Sequence, residues 1–188
     1  MGKLTVTRCD IDGLLIIEPN VHFDERGYFM ETYNERDFRE AGINCTFVQD
    51  NQSCSTKGIL RGLHYQHAHP QEKLVRALAG EVFVAVVDLR TASATFGKSF
   101  GIQLSEENKR QLFVPKGFAH GFLVLSDTAV FSYKCGDFYT PGDEYGIRYN
   151  DPALNIPWPS LPSVTPQPNA RDRAWPTLSE AKEKGLIF

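Results

Sequence analysis

The stretch Gly58-Ile-Leu-Arg61-Gly62-Leu-His64-Tyr-Gln66, continuing through Pro70-Gln71-Glu72-Lys73-Leu74, decides how this chain is read. It sets an arginine, a histidine and a lysine beside glycines, on what reads as consecutive strands of a buried sheet. Charged and titratable groups are costly to bury unless paired, so several aimed at one place point to chemistry. Gly62 removes a side chain beside His64 in mid-strand. A glycine there weakens a sheet and often marks a close approach by a ligand or another backbone. Unbroken strand parity puts Leu60, His64 and Gln66 on one face and Arg61 on the other, whereas a bulge at Gly62 would bring Arg61 and His64 to the same side.

Working outward, Lys73–Ala79 and Glu81–Leu89 flank Gly80 as the arms of a hairpin would. Val82–Val87 is apolar on both faces and so belongs mid-sheet or between sheets. With Phe100–Leu104, Gln111–Val114, Gly121–Leu125 and Ala129–Lys134 this makes about eight strands at spacings of roughly ten residues, the pattern of an all-β sandwich or barrel. Upstream, residues 3–22 read as one or two strands, Asp24-Glu-Arg26-Gly27 as a turn, and Tyr28–Tyr33 as a further strand. Asn34 caps a short helix that Gly42 stops, and Thr46–Asn51 is a strand running into a polar loop. Residues 152–188 are rich in proline and read as an extended C-terminal wrap, closing in a short helix over Ser179–Lys184 before Gly185. Residues 1–188 read as one domain.

The chain has 188 residues, enough for one sizeable core, with 41% hydrophobic and 23% charged residues. A net charge of −3 leaves no basic surplus to draw nucleic acid or an anionic membrane, and no apolar run reaches membrane-span length. The four cysteines (Cys9, Cys45, Cys54 and Cys135) form no CxxC pair, and the N-terminus lacks an apolar signal segment. Reduced, mostly structural thiols in the cytoplasm are the expectation.

Candidate chemistry gathers at few positions. Lys73 shares parity with Val75 and Ala77, and an inward lysine among apolar neighbours is rarely structural, the bland alternative being a chain that snorkels to the rim. Tyr133 shares parity with Phe131 and Cys135; blandly, it is a core tyrosine with its hydroxyl at the edge. A second cluster, Pro115-Lys-Gly117-Phe-Ala-His120-Gly121, together with the earlier Gly62-x-His64, has the pattern of the cupin barrels, many of which hold a transition metal. The ligand spacing fails, because Gln66 stands where the second histidine belongs and Lys73 beside Glu72 would repel a dication. Without a metal, His64 is a candidate proton-transfer base that needs a carboxylate to orient it. Asp172 is one candidate, beside Asp50 and Asp137. No Gly-x-Ser-x-Gly element supports a serine hydrolase.

Taken in order, Asp24-Glu-Arg26-Gly-Tyr-Phe29, Phe47-Val-Gln49-Asp-Asn51-x-Ser53, Leu60-Arg61-Gly-Leu-His64-Tyr-Gln66, Pro70-Gln-x-Lys73-Leu-Val, Pro115-x-Gly-Phe-Ala-His120-Gly-Phe, Tyr133-Lys-Cys, Asp151-Pro and Trp158-Pro resemble the dTDP-4-dehydrorhamnose 3,5-epimerase family. The resemblance runs over nearly the whole chain, from about residue 4 to residue 180. It implies an all-β, cupin-type jelly-roll barrel with a few short flanking helices, no metal and no other cofactor, and a dTDP-sugar as substrate. His64 matches the family's base and Asp172 the acid paired with it. Lys73 matches the group that stabilises the enolate oxygen at C4, helped by Arg61 and His120, and Tyr133 the acid on the opposite face. Gln49, Asn51, Ser53, Arg61 and Tyr139 match positions near the nucleotide and its diphosphate. Arg26, Phe29 and Glu31 match a strand lent across a homodimer interface. One departure stands out: the family usually writes Ser-Glu-Lys-Asp where this chain has Asn169-Ala-Arg171-Asp172. The competing readings are a C3-only or other nucleotide-sugar epimerase of the same family, a metal-dependent cupin enzyme, and a sugar-binding cupin without catalysis.

Overall fold

The computed structural model describes residues 4–162 and 164–188. Two antiparallel sheets face each other as a jelly-roll sandwich of the cupin type. Numbered in chain order, the first sheet runs β1 (Thr5–Arg8), β2 (Leu15–Glu18), β10 (Gln111–Val114), β7 (Lys73–Ala79), β12 (Thr128–Cys135) and β5 (Gln49–Thr56). The second runs β13 (Glu144–Gly146), β6 (Ile59–Gln66), β11 (Phe118–Val124), β8 (Glu81–Asp88) and β9 (Ser99–Ser105), and β14 (Gln167–Pro168) lies parallel to the start of β6. A separate hairpin of β3 (Val21–Asp24) and β4 (Gly27–Met30) stands apart from both. Three short helices, α1 (Glu35–Glu40), α2 (Ala170–Arg173) and α3 (Leu178–Glu183), flank the sheets.

The apolar pattern explains the layers. Val82, Val84 and Val86 of β8 point between the sheets with Leu112, Val114, Phe122 and Phe131, while Ala85 and Val87 point outward. There they meet Leu63, Ile147 and Ala181 under the C-terminal segment, which is why β8 is apolar on both faces. A third cluster, with Ile17, Phe38 and Phe113, seats α1 on the back of the first sheet. Asn34 caps α1 by accepting from the Arg36 amide, as its sequence signal indicates.

The sequence pattern misassigns several connections. Lys73–Ala79 and Glu81–Asp88 are not a hairpin: β7 pairs with β10 and β12, whereas β8 pairs with β11 and β9. Gly80, at φ +68°, hands the chain from one sheet to the other, and a Cβ there would sit 2.2 Å from the Thr128 carbonyl. Two strands abutting one glycine look alike in sequence whether they pair or cross. The polar run after Asn51 is strand rather than loop, because β5 is an edge strand whose alternate residues face solvent. The strand from Tyr28 ends at Met30, and β11 begins at Phe118 rather than Gly121. The last helix starts at Leu178, where Thr177 and Glu180 form a capping box. Helix α2 is only one turn long and had no periodicity to announce it.

Candidate active site

A cavity of about 240 Å³ opens between the sheets, lined by Gln49, Asn51, His64, Tyr65, Gln66, Gln71, Lys73, Tyr133, Cys135, Tyr139 and Glu144. Its walls follow from register. On the first sheet, Gln49, Cys135 and Lys73 form one cross-strand row, and Asn51, Tyr133 and Val75 form the next. The facing wall is β6, which brings His64. Lys73 and Tyr133 therefore meet His64 across the cavity from the opposite sheet, and the Lys73 ammonium lies 5.8 Å from the centre of the Tyr133 ring.

His64 is placed by the bulge that Gly62 permits. Phe122 faces Arg61 and His120 faces His64, so three steps along β6 match two along β11. The amide of Gly62 turns to the other edge of β6, where it donates to Asp172 Oδ2 at 3.0 Å. Asp172 Oδ1 sits 2.7 Å from His64 Nε2. The Asp172 side chain is fully buried on α2, and its own amide is capped by Asn169 Oδ1 at 2.7 Å. Burial pushes the Asp172 carboxyl up. Hydrogen bonds from His64 and the Gly62 amide, with the charges of His64 and Arg171, outweigh this and hold it below its usual value. An ionised carboxylate can only accept, so in the neutral ring Nε2 carries the hydrogen and Nδ1 keeps its lone pair.

The other carboxylate candidates lie elsewhere. Asp50 pairs with Lys134 at 2.9 Å, and Asp137 accepts from the Phe138 amide. Glu144, which sequence reasoning missed, lines the cavity with Oε1 3.9 Å from His64 Nδ1. A single glutamate on a three-residue edge strand carries no parity signal. Trp175 was also missed as a neighbour; it turns an edge toward the His64 ring at 6.2 Å between centroids.

Burial shapes the remaining groups. It pushes the Lys73 ammonium below its ordinary value, against the opposing influence of Cys135 and Glu144. Lys73 makes no salt bridge among the described residues. Burial raises the Tyr133 phenol, with Cys135 and Glu144 acting in the same direction and Arg61 the other way. His120 is buried and stacked on Phe131, with no hydrogen-bond partner for Nε2 among the described residues. Burial and its neighbours Lys73 and His64 hold it well below the ordinary value.

Ser53 shares the inward face of β5 with Gln49 and Asn51 but does not line the cavity. Arg61 reaches Ser55 Oγ at 3.2 and 3.0 Å from Nε and Nη2. Arg26, Phe29 and Glu31 are not at this cavity within the chain; Arg26 pairs with Asp24 in its own turn, and Phe29 is 59% exposed on β4.

Gln66 is fully employed. Its Nε2 donates to the carbonyls of His69 and Phe138, and its Oε1 accepts from the Thr140 amide, which fixes the loop that carries Tyr139. Among the described residues, no three His, Cys, Asp or Glu side chains converge as metal ligands would. None of the helices there is long and apolar enough to cross a membrane. The four cysteines are free thiols, and Cys135 is one wall of the cavity rather than a purely structural group.

Residues 8–180 match the family model described as dTDP-4-dehydrorhamnose 3,5-epimerase. The enzyme of that name from Shigella flexneri is 55% identical over 158 residues, covering 83% of this chain and 87% of its own. Its counterpart from Methanothermobacter thermautotrophicus is 48% identical over 180 residues, 96% of this chain and 97% of the relative. The crystal structure of a dTDP-6-deoxy-D-glucose-3,5-epimerase from Legionella pneumophila, in complex with dTDP-4-keto-L-rhamnose, superposes with a TM-score of 0.93 at 49% identity, covering 98% of this chain and 97% of that one. This chain belongs to the dTDP-4-dehydrorhamnose 3,5-epimerase family.

Proposed function

We propose that the chain converts dTDP-4-dehydro-6-deoxy-D-glucose to dTDP-4-dehydro-L-rhamnose by inverting C3 and C5, with no metal or other cofactor. The observation that carries this reading is the opposition of His64, backed by Asp172, to Tyr133 and Lys73 across one cavity. The C4 ketone acidifies the hydrogens on both neighbouring carbons. His64 Nδ1 removes one of them, and the electron pair moves to the C4 oxygen as an enolate. Lys73, lacking a salt-bridge partner among the described residues, meets that charge, with Arg61 and His120 near it. Tyr133 returns a proton to the opposite face, so the carbon inverts. Its phenol, raised above the ordinary value, is protonated near neutral pH and so has a proton to give.

In the same reading, Gln49, Asn51, Ser53 and Tyr139 attend the nucleotide end of the substrate. The protein acts as a cytoplasmic homodimer of single-domain protomers, each with its Pro-rich C-terminal segment wrapped on the body. The β3–β4 hairpin carries Arg26, Phe29 and Glu31 to the partner's cavity. Exposed Phe23, Tyr28 and Phe29 on an otherwise isolated hairpin fit a surface that is covered in an assembly.

The test is incubation with the 4-keto sugar nucleotide in deuterium oxide, read by NMR at both carbons. Deuterium is expected at C3 and C5, with His64→Ala slower by about 10²–10⁴-fold while still folded. Exchange at C3 alone would replace this reading with that of a 3-epimerase, and undiminished exchange in His64→Ala would remove His64 as the base.

A further inference from the structure

His64 stands between two carboxylates, and only one of them is doing a base's work of orientation. Asp172 holds Nε2 at 2.7 Å, while Glu144 Oε1 waits 3.9 Å from Nδ1, the nitrogen that must stay open. Were Glu144 to close the remaining distance, it would accept a hydrogen bond from a protonated Nδ1. The ring would then be an imidazolium held at both ends, unable to take a proton from anything.

What holds Glu144 back is Arg171. Its Nη1 is ion-paired with Glu144 Oε2, and its Nε lies 3.8 Å from Asp172 Oδ1. One cation thus serves both carboxylates that flank the histidine. The guanidinium also lies 5.8 Å from the centre of the Trp175 ring, the same ring whose edge faces His64. A flat guanidinium can address two carboxylates while it rests near an indole, whereas an ammonium is a point charge and cannot span them with the same geometry.

We infer that Arg171 is a positioning residue: by tying Glu144 to itself and offsetting its charge, it keeps Nδ1 of His64 free to act as base. The inference rests on the reading of His64 as the base. The other charged or titratable groups around His64 and the cavity are Lys73 on β7, His120 on β11, Tyr133 and Cys135 on β12, Arg61 and Tyr65 on β6, Asp172 on α2 and Tyr139 in the loop before β13. None of them touches Glu144 in an ion pair among the described residues, so Arg171 alone restrains it there.

The test uses Arg171→Met, Arg171→Lys and the double variant Arg171→Met with Glu144→Gln, each checked for folding by circular dichroism. Removing the cation is expected to move the acid limb of the kcat profile up by about one pH unit, so that kcat falls several-fold near neutral pH and recovers at higher pH. Arg171→Lys should fall between wild type and Arg171→Met. Adding Glu144→Gln should return the limb toward its original position, since the competing carboxylate is gone. Nitrogen-15 NMR of the imidazole in free protein supplies a reading independent of turnover, with the proton occupancy of Nδ1 rising at pH 7 in Arg171→Met and falling back in the double variant. A pH-independent loss, a change confined to KM, or an unchanged imidazole spectrum would overturn the inference. If the wild type shows no isotope exchange at all, it is the base reading that fails, and the imidazole spectra still decide whether Arg171 restrains Glu144.

Discussion

Gly62 makes a demand on the backbone that no residue with a side chain meets. Its φ is +122°, and a Cβ there would lie 2.5 Å from Gly121 Cα and 2.9 Å from the His120 carbonyl. Across the gap, a Cβ on Gly121 would strike the Arg61 carbonyl at 2.6 Å, so the two glycines let β6 and β11 close on each other just where the bulge turns His64. Gly62→Ala is therefore expected to cost about 2–4 kcal/mol, from a strained dihedral and an overpacked strand pair. Urea unfolding measures the loss, and isotope exchange in protein that remains folded should fall as His64 leaves Asp172. At this scale the sequence was informative. A glycine in mid-strand beside a histidine left unbroken parity and a bulge both open, and the structure has the bulge. From the residues alone Asp172 was one carboxylate among three, because its partner stands 108 residues away in the chain, and only the family resemblance singled it out. Glu144 and Trp175 could not be named at all, since their roles come from a strand edge and a single helical turn that hydrophobic periodicity does not register.

Strands β8 and β9 are joined by a connection that a single buried carboxylate organises. Asp88 ends β8 with its side chain fully buried, and it accepts from Arg90 Nε and Nη2, Ser93 Oγ and Thr95 Oγ1 at 2.6–2.8 Å. Burial alone would raise its pKa, but these donors and the Arg90 amide bring it from 3.8 to about 2. A pKa lowered on folding contributes stability above the unfolded value, and that contribution is lost as pH falls through the folded one. The depression corresponds to about 2 kcal/mol, present above about pH 4 and gone near pH 2. Asp88→Asn should lower unfolding stability by about that amount at pH 7, and the gap from wild type should narrow as the pH is taken from 4 toward 2. A gap that stays constant with pH would assign the loss to packing instead. Among the elements, the longer strands were legible while the short β13 and β14 were not, and partnership was not legible either. Gly80 shows why: alternation and a turn residue specify where a strand stops, yet the choice between folding back and crossing to the other sheet is made by strands that lie far off in sequence.

For the whole molecule, the dimer reading gives a prediction that neither site nor strand supplies alone. If the hairpin serves the neighbouring cavity, Arg26→Ala and His64→Ala damage different halves of one shared site. Each variant by itself should be nearly inactive. Unfolding and refolding them together in equal amounts should restore about one quarter of wild-type activity, because half the dimers are mixed and each mixed dimer has one intact site. Failure to complement would place the hairpin's work within its own protomer.

The parallel pairing of β14 with β6, and the seating of Asp172 just beyond it, has a consequence in time as well as space. Synthesis runs from the N-terminus, so both sheets can be made before the ribosome adds Asn169 to Asp172. Until that turn arrives, His64 Nε2 and the Gly62 amide both lack the Asp172 carboxylate, and Glu144 lacks its Arg171 partner. On the proposed reading of His64 as the base, a chain cut off before Asn169 is expected to lose isotope exchange even where its two sheets form.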